Sequence, residues 1–165
     1  MKKVKDFMTR KVVKIKPDDS IFRAAKVFSE NKISGAPVVK KGQIIGMVSE
    51  SDIVKFMSLR LSNALDLPKK LAQTSLSLLM LDFMRAGKDH LGFKKELQRI
   101  SKTKIKDIMT PAVVFAEPDT NLFDAAAIMD KHDVNRLPVV DGKGKTKRKL
   151  VGIIARADLV KALCE

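Results

Sequence analysis

The chain has no tryptophan and no tyrosine, one cysteine, six prolines and eight glycines among its 165 residues. With eight phenylalanines as its whole aromatic complement, its core must be aliphatic, and it lacks the stacking platforms by which proteins hold single-stranded nucleic acid. The lone Cys164 has no internal disulfide partner, which fits a reducing compartment, with the cytosol the default. The most apolar stretch, residues 76–84, carries Ser77 and Asp82 and falls far short of the ~20 residues that span a bilayer, so no membrane segment is expected. The charged start Met1-Lys2-Lys3-Val4-Lys5-Asp6 has no apolar region behind it, and a secretory signal is not expected. There is no P-loop and no G-x-G-x-x-G, and His90 and His132 lie in polar contexts with no Cys nearby. Neither a metal site nor a nucleophile and base pair can be built from them, so the chain reads as a protein that is not an enzyme.

What is present is a globular composition, 45% hydrophobic and 32% charged, enough apolar surface to offset chain entropy. Lys and Arg outnumber Asp and Glu by 33 to 19, a net charge of +14, which draws phosphates, nucleic acid or an acidic partner.

The organising feature is an internal repeat. Val4-Lys5-Asp6-Phe7-Met8-Thr9 is echoed by Ile105-Lys106-Asp107-Ile108-Met109-Thr110. The same register carries Val12-Val13 onto Val113-Val114, Pro17-Asp18 onto Pro118-Asp119, Ala24-Ala25 onto Ala125-Ala126, and Pro37-Val38-Val39 onto Pro138-Val139-Val140. The second copy then gains a basic loop at residues 143–149. The register resumes at a glycine, so that Gly46 to Lys55 corresponds to Gly152 to Lys161. Insertions of this kind fall in loops.

Each copy predicts the same elements. Residues 12–15 form a β-branched run closed by Pro17, hence a strand. Ser20 is placed to cap a helix over Ile21–Asn31 with Ala24, Ala25 and Phe28 on one face. Residues 37–39, a turn at Lys41-Gly42 and residues 43–48 make a hairpin. Ser49 or Ser51 then caps a helix beginning near Asp52, with Ile53, Val54, Phe56 and Met57 at helical spacing. The expected architecture is α+β, two β-α-β-β-α repeats packed about a pseudo-twofold axis, because one unit cannot enclose its own apolar sheet face. The expected divisions are residues 1–60, a helical insertion over 61–103, and residues 104–165.

The paired D-x-M-T, P-V-V and G-h-h-[ST]-x-x-D elements, with h apolar, closely resemble the CBS domain, and a tandem pair of these is a Bateman module. The resemblance implies a regulatory ligand built on adenosine, such as AMP, ADP, ATP or S-adenosylmethionine, held between the repeats. It places the ribose on an Asp just inside a helix, which can accept hydrogen bonds from both hydroxyls. A phosphate falls to a hydroxyl three residues earlier and to free helix-start N–H groups. Position by position, Ser49 and Asp52 fill these roles in the first copy, while in the second Asp158 remains and Ala155 replaces the hydroxyl. The adenine slot is assigned to Val13, Ile15, Ala36 and Pro37 in one copy and to Val114, Leu137 and Pro138 in the other.

The resemblance also implies that Arg136 and Arg156 reach towards the ligand of the Ser49 and Asp52 site, whereas their counterparts Gly35 and Glu50 would face the other. The Asp52 site is therefore expected to take a charged nucleotide, and the Asp158 site to stay empty or hold a less anionic adenosyl compound. Asp52 and Asp158 suit equally the role of helix-start residues stabilised by the macrodipole, and Ser49 that of a plain cap.

Residues 61–103 match nothing in the repeat. Pro68 fits the start of a helix over residues 68–85, and a second is expected over residues 91–100 with Phe93, Leu97 and Ile100 on one face. The excess apolar perimeter of the first suggests a homodimer or an unidentified protein partner. The functional expectation is an adenine-nucleotide sensor that modulates a partner. The alternative is a basic nucleic-acid-binding protein that uses the CBS pair as a scaffold, with the lysine-rich loop at residues 143–149 as its contact.

Overall fold

A computed structural model describes residues 2–64, 91–142 and 149–164. Contacts divide the chain into two compact units: residues 1–14, 36–47 and 110–165 form one, and residues 15–35 and 48–109 the other. The helix expected over residues 68–85, His90 and most of the basic loop lie outside the described residues.

Local chemistry sets the element boundaries. Helix α1 spans Val4–Phe7. Helix α2 spans Ile21–Asn31, capped by Ser20 Oγ, which accepts from Arg23 N, and closed by Lys32 in the left-handed region at φ 51°. It buries Ile21, Ala24 and Phe28. Ala25, expected on that face, is exposed, because a step of one residue turns the helix by about 100° away from the buried stripe.

Strands β1 (Gly35–Lys40) and β2 (Gln43–Ser49) pair as a hairpin. Its turn residues Lys41 and Gly42 both take positive φ, 49° and 79°, the type I′ geometry that matches strand twist. Helix α3 runs over Glu50–Ala64, starting slightly earlier than expected because Ser49 is the cap. It buries Ile53 and leaves Val54 exposed.

Helix α4 covers Leu91–Lys102, and a 3-10 turn comes after it at Ile105–Asp107. Leu97 was expected on the buried face of α4, yet it is 37% exposed. Ile100 and, unexpectedly, the carboxylate-bearing Glu96 are the buried pair. The side chain of Phe93 lies outside the described residues.

In the second copy, α5 spans Leu122–Lys131, capped by Asn121 Oδ1, which accepts from Asp124 N. Strands β3 (Arg136–Asp141) and β4 (Lys149–Ala155) pair antiparallel, and α6 spans Arg156–Ala162. Pro138 sits opposite Ile153, whose N–H and C=O point away from β3 and pair with Thr9. The proline's missing N–H therefore costs the hairpin nothing. Val4, Met8, Ala116, Ala125, Met129, Leu137, Val139 and Ile154 form the buried core of this unit.

The strands expected at residues 12–15 and at their equivalents shrink to almost nothing. Residues 12–14 join no ladder and Ile15 makes an isolated bridge. In the second copy Ala116 alone bridges Val139, donating to Pro138 O and accepting from Val140 N at 3.0 Å each. Two residues on, Pro118 has no N–H to carry a ladder forward, and its carbonyl is already taken by Lys5 N at 2.9 Å.

The two D-x-M-T segments are exchanged. The first lies against the second copy, where Val4 N donates to Thr120 O and Thr9 pairs with Ile153. Lys3 and Lys5 meet Asp119 Oδ1 there at 2.9 and 2.8 Å. The second lies against the first copy, where Ile105 N donates to Asp19 O and Thr110 pairs with Met47. Lys106 meets Asp18 there at 2.8 Å. In each arm the motif's Asp caps the turn, with Asp6 Oδ2 accepting from Lys3 N and Asp107 Oδ2 from Lys104 N, both at 3.1 Å.

Candidate functional site

Each hairpin delivers its last strand straight into a helix, and the candidate carboxylates lie in the first helical turn. At the first junction, half-buried Asp52 accepts through Oδ2 from the backbone N–H and the hydroxyl of Ser49, both at 2.7 Å. Asp52 N in turn donates to Ser49 Oγ at 3.3 Å. This reciprocal pair is a capping box, the plainer of the two roles anticipated for these residues. Among the described residues Asp52 Oδ1 accepts no hydrogen bond, so one carboxylate oxygen is left to receive a donor.

The second junction repeats the frame without the hydroxyl. Asp158 Oδ2 accepts from Ala155 N at 2.8 Å, and no side chain caps the first turn of α6. Main-chain anchoring is the same in both copies, because Glu50 N donates to Ser34 O and Arg156 N to Asn135 O, each at 3.0 Å. The difference between the junctions therefore lies in side chains, among them Ser49 against Ala155, Glu50 against Arg156 and Gly35 against Arg136.

Arg136 opens β3, half-buried, in register with Ala155, and Arg156 comes next as the exposed first residue of α6. Both cations thus sit at the Asp158 junction of their own copy. Of the aliphatic residues assigned to adenine, Val13 and Val114 are half-buried and have side-chain surface to offer. Ile15, Ala36 and Leu137 are at 1%, 1% and 0% exposure, and Pro37 and Pro138 are buried. At these exposures the whole residues, main chain and side chain alike, are packed against their neighbours.

Sequence reasoning missed the carboxylates that hold the arms. Lys3 and Lys5 lower Asp119 from 3.8 to about 2, chiefly through their hydrogen bonds, while Asp119 raises Lys5 and Asp18 raises Lys106. The signal was there in the repeated Pro17-Asp18 and Pro118-Asp119 and in a lysine at the same place in both arms. Among the described residues no group of His, Cys, Asp or Glu could hold a metal, and no helix is long and apolar enough to cross a membrane.

Comparison with known proteins fits this geometry. The model for the CBS domain matches residues 4–59 and 105–165. An uncharacterised protein of Methanocaldococcus jannaschii is 38% identical, over 97% of this chain and 90% of its own. The chloroplastic CBS domain-containing protein CBSX1 of Arabidopsis thaliana is 35% identical over 96% of this chain, which spans 63% of that protein's length. Among solved structures, CBSX2 of Arabidopsis thaliana in complex with AMP is 28% identical with a TM-score of 0.64, covering 99% of this chain and 97% of that one.

Proposed function

Because this chain belongs to the CBS-domain family, we propose that it is a ligand-sensing module that binds an adenine nucleotide at the Asp52 junction and passes the bound state on to a protein partner. The observation that carries the reading is the Ser49 and Asp52 pair at the head of a 15-residue helix. A vicinal diol needs two acceptors side by side. Asp52 offers Oδ1, which is uncommitted among the described residues, and Oδ2, which is freed to accept from the ligand when the Ser49 hydroxyl, now its donor, turns away. That hydroxyl is then released towards phosphate, where the partial positive charge of the helix start adds attraction.

The Asp158 junction, without a hydroxyl, is assigned a less anionic adenosyl compound or no ligand. Binding rather than catalysis is the activity assigned to both junctions. The module is assigned to the cytosol as a homodimer. Its partner must prefer one ligand state, because a ligand shifts only equilibria to which it binds unequally.

Calorimetric titration with AMP, ADP, ATP and S-adenosylmethionine tests the reading. Saturable binding of one of them, lost in Asp52→Ala, is the expected result. Absence of heat with all four overturns it.

A further inference from the structure

The buried carboxylate of Glu96 belongs to no repeat motif, and its surroundings are specific. It projects from α4, and its side chain is 9% exposed. Oε1 meets Arg60 Nη1 of α3 at 3.5 Å and Oε2 meets Arg99 Nη1 at 3.3 Å. Arg60 is aligned from its own helix, its guanidinium 5.4 Å from the centre of the Phe56 ring one turn earlier. The same helix begins at Ser49 and Asp52, and at a rise of about 1.5 Å per residue Arg60 lies about 12 Å along the axis from Asp52. One rigid rod therefore carries the candidate ligand group at its head and the tie to α4 near its tail.

We infer that the Arg60, Glu96 and Arg99 cluster is a latch through which α3 reports the ligand state to the helix inserted between the repeats. The inference rests on the nucleotide reading of Asp52 and names its output. The latch is poised rather than locked. A carboxylate buried this far is destabilised without a cation, yet Arg60 and Arg99 are 48% and 71% exposed, and water competes for both. Closed, the cluster satisfies Glu96 and holds α4 on α3. Open, Glu96 is hydrated and α4 is released together with the segment after it, in which Thr103 O accepts from Ile21 N and Ile105 N donates to Asp19 O. A small tilt of α3 on ligand binding shifts that balance because Arg60 moves with the rod, and such coupling requires only that the ligand favour one position.

Amide exchange over residues 91–102 of the full chain, with and without AMP, tests the latch in the wild type, Glu96→Gln and Arg60→Gln, while calorimetry records whether AMP binds. The expected result is that AMP changes α4 exchange about tenfold in the wild type and that both variants bind AMP with α4 exchange no longer responding. AMP binding with unchanged α4 exchange in the wild type overturns the latch and leaves the nucleotide reading standing. A full α4 response in both variants also overturns it. If AMP gives no heat, the exchange is read with whichever of ADP, ATP and S-adenosylmethionine does, and absence of binding by all four overturns both. If Glu96→Gln fails to fold, Arg60→Gln carries the comparison alone, because it removes only the half-exposed cation.

Discussion

Thr9 and Ile153 exchange both of their main-chain hydrogen bonds, at 2.9 and 3.0 Å, although one lies near the start of the chain and the other near its end. Met47 and Thr110 make the equivalent pair at 2.9 Å in both directions. The recurrence of the D-x-M-T element within this chain thus has a mechanical cause, since its Asp caps the turn and its Thr pairs with a strand of the other copy, while in the first arm Met8 also fills the core.

Gly152 lies where the first arm docks. A Cβ built there would collide with the side chain of Met8 and come within 3.2 Å of Thr9 O. Gly152→Ala is expected to lose about 1–3 kcal/mol by overpacking, read by chemical denaturation. Met8→Ala in the same chain should recover part of that loss. Undiminished stability in the single variant would contradict the docking.

Acid should loosen the same arm. Asp119 is held near 2, below its ordinary 3.8, so its pairs with Lys3 and Lys5 are fully present above that ordinary value and lost as the pH falls through about 2. The effect is small and sensitive to salt, because Asp119 is 67% exposed. The protection of the Val4 and Lys5 amides relative to their intrinsic exchange rates, followed downward from pH 5, is expected to fall across that window. Asp119→Asn should show the lower protection already at neutral pH.

Ser49→Ala converts the first junction into the form of the second, where Ala155 stands. The loss of the cap to Asp52 N is expected to cost about 1 kcal/mol, visible as a lowered denaturation midpoint. If the nucleotide reading holds, AMP affinity falls as well, since the same hydroxyl is assigned to phosphate. A stability change with unaltered affinity would limit Ser49 to capping.

The two carboxylates should not be equivalent. Asp52→Ala is expected to weaken AMP at least tenfold by removing two charge-assisted hydrogen bonds, and Asp158→Ala to leave it nearly unchanged. Equal losses of AMP in Asp52→Ala and Asp158→Ala would sink the proposed asymmetry.

Much of this was written into the chain. The Ser20 cap, the bounds of α2, the Lys41-Gly42 turn and the second insertion helix come from local signals, because capping and turn geometry depend on a few neighbouring residues. The short extended segments before Pro17 and Pro118 were harder, since β-branched runs predict a strand but not whether a neighbour offers a continuous ladder. The burial of Glu96 in place of Leu97 escaped because helical periodicity cannot foresee that Arg60, from another helix, makes a carboxylate acceptable inside. At the site, the Ser49 and Asp52 spacing announced both a cap and a ligand group, and spacing alone does not choose between them. The exchange of arms was invisible, because a repeat reveals that two segments are alike and not which body each one joins.

That exchange bears on how such a chain could have arisen. A polypeptide holding only one copy would present a body without its arm and an arm without its body, and it could complete itself only by trading with a second identical molecule. Joining two copies end to end makes the trade internal, so that assembly no longer depends on concentration. After that, one copy is free to lose a hydroxyl or gain an arginine while the other keeps its own.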